Sequence, residues 1–229
     1  MELSNRLKTI SNLINNVKSI VDVGTDHGYI PIYLVGNNIL DYAVASDINK
    51  GPVEKAKNNV KDYNLGNKIS CRLGGGLTTV KPKEVDAAII AGMGGNLIRD
   101  IIEESKGVFK TLNYAVLQPV QNPEVLREYI YKSGYTILDE VIVKDEEKYY
   151  EIIKVKYDSN KREVEPIYYE ISEILLNKKE PLFKEYIKFK LNKYTRVYEN
   201  LNEETELSRK RKEELRRIIQ KLKEFLQCL

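Results

Sequence analysis

The densest run of residues able to do chemistry is Ile20-Val21-Asp22-Val23-Gly24-Thr25-Asp26-His27-Gly28-Tyr29-Ile30-Pro31. An apolar, β-branched stretch ends in a glycine turn that carries two aspartates, a threonine and the one histidine of the chain. Gly24 permits a sharp turn, and Gly28 permits close approach of backbone to a ligand. A helix opening after them would offer unpaired amides to a polar group. The spacing is Gly-x-x-x-Gly rather than the Gly-x-Gly-x-x-Gly of dinucleotide binders, so the segment alone also fits a plain strand–helix turn. Ser46-Asp47-Ile48-Asn49 closes the next β-branched run, with Asp47 23 residues after Gly24. An acid there can accept both hydroxyls of a ribose, or it can cap the helix that begins near Lys50. Together the two segments place a nucleoside across the ends of adjacent strands, where open α/β sheets bind ligands.

Three more segments fall at strand ends on the same side. Arg72-Leu73-Gly74-Gly75-Gly76-Leu77 and Ala91-Gly92-Met93-Gly94-Gly95 are glycine-rich. They read either as flexible loops or as bare backbone shaped for a flat base, with Met93 lining a channel or filling core. Leu117-Gln118-Pro119 follows a fifth strand; Gln118 can both donate and accept, so it could read a base edge or cap its loop.

Composition narrows the chemistry. Cys71 and Cys228 lie far apart in sequence and cannot build a disulfide scaffold or a zinc cluster. With one histidine, sites built from His and Cys ligands are effectively excluded, so no metal is expected. Apolar content is 42% and charged content 31%, no apolar run reaches the roughly 18 residues of a membrane span, and the start lacks the parts of a signal peptide. A cytoplasmic location is expected. The net charge of +3 divides unevenly: residues 160–229 hold 17 Lys+Arg against 13 Asp+Glu, and residues 1–159 hold 20 against 21. The basic tail suits an anionic partner or a solvated helical face.

The elements that must position these residues alternate. A helix is expected over residues 3–16, from Leu3, Leu7, Ile10, Leu13, Ile14 and Val17. Strands are expected at Ser19–Val23, Tyr42–Asp47, Lys68–Leu73, Val85–Ala91, Tyr114–Gln118, Tyr135–Val143 and Tyr149–Tyr157. Helical stretches near 28–36, 51–63, 94–106 and 122–132 separate the first five. This alternation predicts an α/β fold with a mostly parallel sheet covered on both faces. The turn Lys144–Lys148 is too short for a parallel crossover, so the last two strands form an antiparallel edge hairpin. Residues 158–165 read as a linker, and residues beyond it show only helical stripes. Two long stripes, from Phe183 to Leu201 and from Leu215 to Leu226, predict an antiparallel, coiled-coil-like helix pair of about three heptads. The domains are therefore residues 1–157 and 158–229.

The opening Leu3-Ser4-Asn5-Arg6-Leu7, the Asp22–Pro31 run with its Asp26-His27 pair, Ser46–Asn49, Gly92-Met93-Gly94-Gly95, Leu117-Gln118-Pro119 and Lys148-Tyr149-Tyr150-Glu151-Ile152 occur in an order and spacing that resemble the bacterial tRNA (adenine-22)-N1-methyltransferase family. The likeness covers residues 1–157; the tail matches only in being helical. It implies a Rossmann-like class I methyltransferase domain, a helical C-terminal domain, S-adenosylmethionine as donor and tRNA as acceptor, in a monomer or weak homodimer. The donor would meet Asp22, Gly24, Thr25, His27, Gly28, Asp47, Ile48, Gly75, Gly92 and Met93. The family usually carries Asp or Asn where this chain has Gly75, so backbone would have to substitute for that side chain. Arg6, Tyr29 and Gln118 are the candidates for the acceptor side.

Methyl transfer from a sulfonium is an in-line displacement that depends on orientation, and N1 of adenine already has a lone pair. A carboxylate beside it would stabilise the cationic product or take a proton from the N6 amine. Asp26 is the candidate, against a loop-ordering or donor-binding role. The helical tail, through Lys188, Lys190, Lys193, Arg196, Arg209, Lys210, Arg211 and Lys212, could grip phosphates, or could serve oligomerisation. Two other readings compete. A nicotinamide-dependent oxidoreductase on the same sheet is opposed by the missing Gly-x-Gly-x-x-Gly and by the edge hairpin. A non-catalytic RNA-binding protein that keeps a nucleoside pocket is favoured by Gly75.

Overall fold

The computed structural model describes residues 1–202 and 204–229, in two compact units, Met1–Glu163 and Val164–Leu229. The first unit opens with helix α1 (Asn5–Asn12), capped by the Ser4 hydroxyl accepting from Leu7 N. Then follow β1 (Ser19–Val23), α2 (Tyr29–Gly36), β2 (Tyr42–Asp47), α3 (Lys50–Asp62), β3 (Ile69–Leu73), a 3-10 turn (Gly76–Thr79), β4 (Ala87–Gly94), α4 (Gly95–Glu104), α5 (Lys106–Phe109), β5 (Tyr114–Gln121), α6 (Pro123–Lys132), β6 (Tyr135–Asp145) and β7 (Lys148–Tyr157). The sheet order is β3-β2-β1-β4-β5-β7-β6. The first five strands run parallel, and β7 pairs antiparallel with both β5 and β6. This is the Rossmann-like sheet with an antiparallel edge hairpin.

Consecutive residues of the central strands are buried: Val21, Ala43, Val44, Ala45, Ala88, Ile89, Ile90, Val116 and Leu117 are all at zero exposure. Neighbours in a strand point to opposite faces, so unbroken burial means that both faces are covered, as a parallel sheet requires. The chain reverses direction across the sheet between β1 and β4, and the crevice beyond their carboxyl ends is the ligand position of this topology.

Several expected bounds shift for identifiable reasons. The opening helix is shorter than residues 3–16, because Leu13 and Ile14 enter the core from a turn that ends at Asn16, with φ 56°. The edge hairpin turns on two residues, Glu146 and Glu147, at φ 46° and 63°, the left-handed pair that matches strand twist. The stretch 94–106 divides at Ser105 into α4 and α5. Gly92-Met93-Gly94 is not a loop: it continues β4, and α4 starts at Gly95 without an intervening connection.

The second unit holds α7 (Ile167–Glu170), α8 (Glu173–Lys178), α9 (Pro181–Asn200) and α10 (Glu206–Cys228). Helices α9 and α10 pack on each other across their short link, burying Phe183, Ile187, Tyr194, Leu215 and Leu222. Lys190, expected on a phosphate-gripping face, is instead buried: its ammonium donates to the Glu170 carbonyl. The Tyr194 hydroxyl bonds the Glu170 carboxylate. Lys210 and Arg211 pair along the helix with Glu206 and Glu214.

Candidate active site

The carboxyl end of β1 delivers Asp22, whose side chain is buried and accepts from Thr25 Oγ1 at 2.6 Å. Thr25 N donates to Ser46 O at 2.8 Å, and Ser46 Oγ donates to Asp22 O at 3.3 Å, so the glycine turn is tied to the end of β2. Burial pushes the Asp22 carboxyl up to about 6; the Thr25 hydrogen bond opposes this, and the charges of Asp26 and Asp47 add to it. Gly24 sits at φ 71°, and a Cβ there would lie 2.2 Å from Met93 Cε. The absent side chain is what lets Met93 reach across from β4 onto the turn after β1.

His27 follows at φ 58°, with Asn59 Nδ2 donating to its carbonyl at 2.8 Å. The His27 ring stacks on Tyr29 at 5.2 Å between centroids and 7° between planes, and its Nε2 lies 3.2 Å from Asp26 Oδ1. The Asp26 side chain is 82% exposed. Gly28, left-handed at φ 72°, stands at the N-cap of α2. At the end of β2, Asp47 Oδ1 accepts from Asn49 N at 2.7 Å and Asp47 O accepts from Gly74 N at 2.9 Å, which joins the β2 and β3 ends. Ile48 is 71% exposed, and a Cβ on Gly75 would lie 3.6 Å from its Cδ1. The exposed Ile48 side chain therefore lies against the bare Gly75 backbone at the ends of β2 and β3.

On the other flank, Gly92 N and Arg6 Nη1 both donate to Gln118 Oε1, at 3.2 and 2.8 Å. Gln118 is fully buried and its amide nitrogen donates to Pro119 O at 2.9 Å. Both ends of this amide are thus engaged inside the protein, which corrects the expectation that it reads a base edge. The Arg6 guanidinium lies over the Tyr150 ring at 5.3 Å, and Arg6 N donates to Asp145 Oδ2 at 3.2 Å.

The ends of β2, β1 and β4 are neighbours in the sheet, and with them come Asp47, Gly24 and Gly92 to one rim. Thr25, Asp26, His27, Gly28 and Tyr29 follow β1, Ile48 follows β2, Gly75 follows β3, and Met93 closes against Gly24. Arg6 reaches the same rim from α1. Sequence reasoning missed Asn59 and Asp145 as supports and named Ser46 only as part of the run before Asn49. Ser46 and Asn59 are short polar side chains that only the folded packing of α3 and β2 against the turn brings into use. Among the described residues no three His, Cys, Asp and Glu side chains are grouped to hold a metal ion.

Residues 20–224 match the family described as tRNA (adenine(22)-N(1))-methyltransferase. The protein of that name from Bacillus subtilis is 40% identical over 153 residues, 67% of this chain and 64% of its own length, so the sequence match spans just under two thirds of that relative. The crystal structure of the B. subtilis M1A22 tRNA methyltransferase TrmK superposes with a TM-score of 0.88 at 32% identity, covering 98% of this chain and 99% of that one. M. capricolum TrmK in complex with S-adenosyl-homocysteine superposes at 0.84 and 27% identity, covering 99% of each chain. On the family match and the shared fold, the chain belongs to the tRNA (adenine(22)-N(1))-methyltransferase family.

Proposed function

We propose that the chain transfers a methyl group from S-adenosylmethionine to N1 of an adenine in tRNA, at position 22 as in the family to which it belongs. The observation that carries the reading is the shared rim: Gly24, Asp47 and Gly92 lie at the carboxyl ends of three adjacent parallel strands, just after β1, at the last residue of β2 and within the last three residues of β4, with Met93 seated on Gly24. Bound there, the donor supplies an electrophilic methyl group on a sulfonium. The residues present suit it. Asp22, Asp26 and Asp47 gather negative charge where a sulfonium and an ammonium would lie. Asp47, oriented by Asn49 N, accepts from the ribose hydroxyls. Ile48 and the bare Gly75 backbone take the adenine ring of the donor, the turn from Gly24 to Gly28 with Thr25 and His27 holds the methionine end, and Gly92 and Met93 wall the transfer channel.

The acceptor base must be unpaired, since N1 lies on its pairing edge. The parallel His27–Tyr29 stack gives a platform for a flat base, and Arg6 stands beside Gly92 on the β4 side of the rim. Asp26, exposed and fixed against His27 Nε2, stabilises the developing positive charge or accepts the N6 proton. The exposed cations of α9 and α10 engage tRNA phosphates, so removal of residues 158–229 weakens tRNA binding more than donor binding. The protein works in the cytoplasm as a monomer or weak homodimer, which light scattering checks. Incubation with tritiated S-adenosylmethionine and unmodified tRNA, followed by nucleoside mass spectrometry, is expected to give N1-methyladenosine; a chain that binds the donor yet labels no adenine would overturn the reading.

A further inference from the structure

Among the described residues, Gln118 is the only fully buried amide side chain of the rim, and its partners explain why it is there. The β4–β5 ladder pairs Ala91 with Gln118 and Met93 with Pro119, so Gly92 is the extra residue of a β-bulge. Bulges re-aim side chains and leave one residue without a ladder partner. Pro119, on the facing strand, has no N–H to lend to the irregular ladder. The Gln118 side chain substitutes: its Oε1 takes the Gly92 N–H, and its Nε2 donates to the Pro119 carbonyl. The same Oε1 takes Arg6 Nη1, and Arg6 is fixed in turn by Tyr150 and Asp145. One neutral, buried carboxamide therefore spans α1, the β4 bulge and β5.

We propose that Gln118 is a positioning residue for methyl transfer: it fixes the bulge that turns Met93 onto Gly24, and it locks Arg6 of the N-terminal helix to that bulge. The acceptor side of the rim is then set by α1 and β4 together, not by β4 alone. A carboxamide suits this place, because its oxygen supplies acceptor directions for both Gly92 and Arg6 while its nitrogen donates to Pro119.

The role rests on the proposed methyl transfer, and one set of variants separates the two. Gln118→Met keeps length and removes all three hydrogen bonds, whereas Gln118→Glu keeps the acceptors for Gly92 and Arg6. With neither donor nor tRNA present, amide exchange at Gly92 is expected to speed up at least tenfold in Gln118→Met and to stay near wild type in Gln118→Glu. In turnover, Gln118→Met is expected to lower kcat at least tenfold with KM for S-adenosylmethionine changed less than threefold, and Gln118→Glu to recover most of the loss. Arg6→Ala, which leaves the core intact, should lower kcat similarly and add little to Gln118→Met in the double variant. Unchanged exchange at Gly92, or independent multiplicative losses for Arg6→Ala and Gln118→Met, would overturn the role. A wild-type chain without methyltransferase activity would instead overturn the proposed function, while the exchange arm still decides the latch.

Discussion

Asp86, just ahead of β4, and Asp22, near the end of β1, stand on neighbouring chain segments at opposite ends of the sheet. Asp86 Oδ2 accepts from Lys18 N, Ser19 N and Ser19 Oγ at 2.8, 2.9 and 3.0 Å. Nearby, the Tyr114 hydroxyl bonds both N and O of Asn15, and the buried Lys154 ammonium donates to Leu13 O and Asn15 Oδ1. Every polar group in this set is answered by the protein itself. At the other end Asp22 is buried with one hydroxyl partner and faces the charges of Asp26 and Asp47. The first end holds the α1–β1 connection in place. The second carries an electrostatic deficit that a cationic ligand would relieve. The proposed site is the end where the protein leaves its own charges unbalanced.

The largest expected difference lies in turnover. Asp26→Ala should lower kcat about a thousandfold, within the range of a lost acid–base or charge-stabilising group, far more than the loss of donor affinity that calorimetry finds; near-normal turnover would remove Asp26 from the chemistry. Next comes pH. The folded Asp22 carboxyl titrates at about 6 against 3.8 for its ordinary value. Between those values the native state holds more proton than the unfolded chain, so stability falls as pH rises through the window. Above pH 6 the cost is about 3 kcal/mol. Asp22→Asn should therefore melt well above wild type at pH 8, and the gap should close below pH 4. Donor affinity of the wild type should weaken as pH drops through about 6, when the carboxylate is neutralised. A melting gap independent of pH would contradict this picture. At the opposite end, Asp86→Ala leaves two backbone amides without their acceptor and should cost about 2 kcal/mol of stability, with unchanged donor affinity. The smallest effect belongs to Ile48→Ala. Its side chain is largely exposed, so melting should not move, but loss of this apolar surface should weaken donor binding about threefold to tenfold.

Much of this was legible in the sequence because it depends on local rules. Strand–helix alternation and the two glycine turns dictate the parallel sheet, and the same alternation puts Gly24, Asp47 and Gly92 at strand ends. What stayed hidden depends on contacts between distant segments. Gly92–Gly94 reads as a loop because two of its three residues are poor strand formers, yet pairing with β5 holds it extended through a bulge. Gln118 reads as a polar group at a strand end and so as a ligand contact, whereas Arg6, 112 residues earlier, claims it. Lys190 looks like a surface cation until Glu170, 20 residues away, is folded against it. The buried Arg127, bridged to Glu140 and Glu151, likewise gives no local sign of anchoring α6 to the edge hairpin.

The central claim is that the acidic rim at the ends of β1, β2 and β4 is the donor site, and a crystal structure of the chain grown with S-adenosylhomocysteine tests it most directly. The expected density runs across those three strand ends, with the ribose hydroxyls on Asp47, the adenine between Ile48 and Gly75, and the sulfur facing Met93. A ligand bound away from this rim, or a ribose that makes no contact with Asp47, would contradict the account.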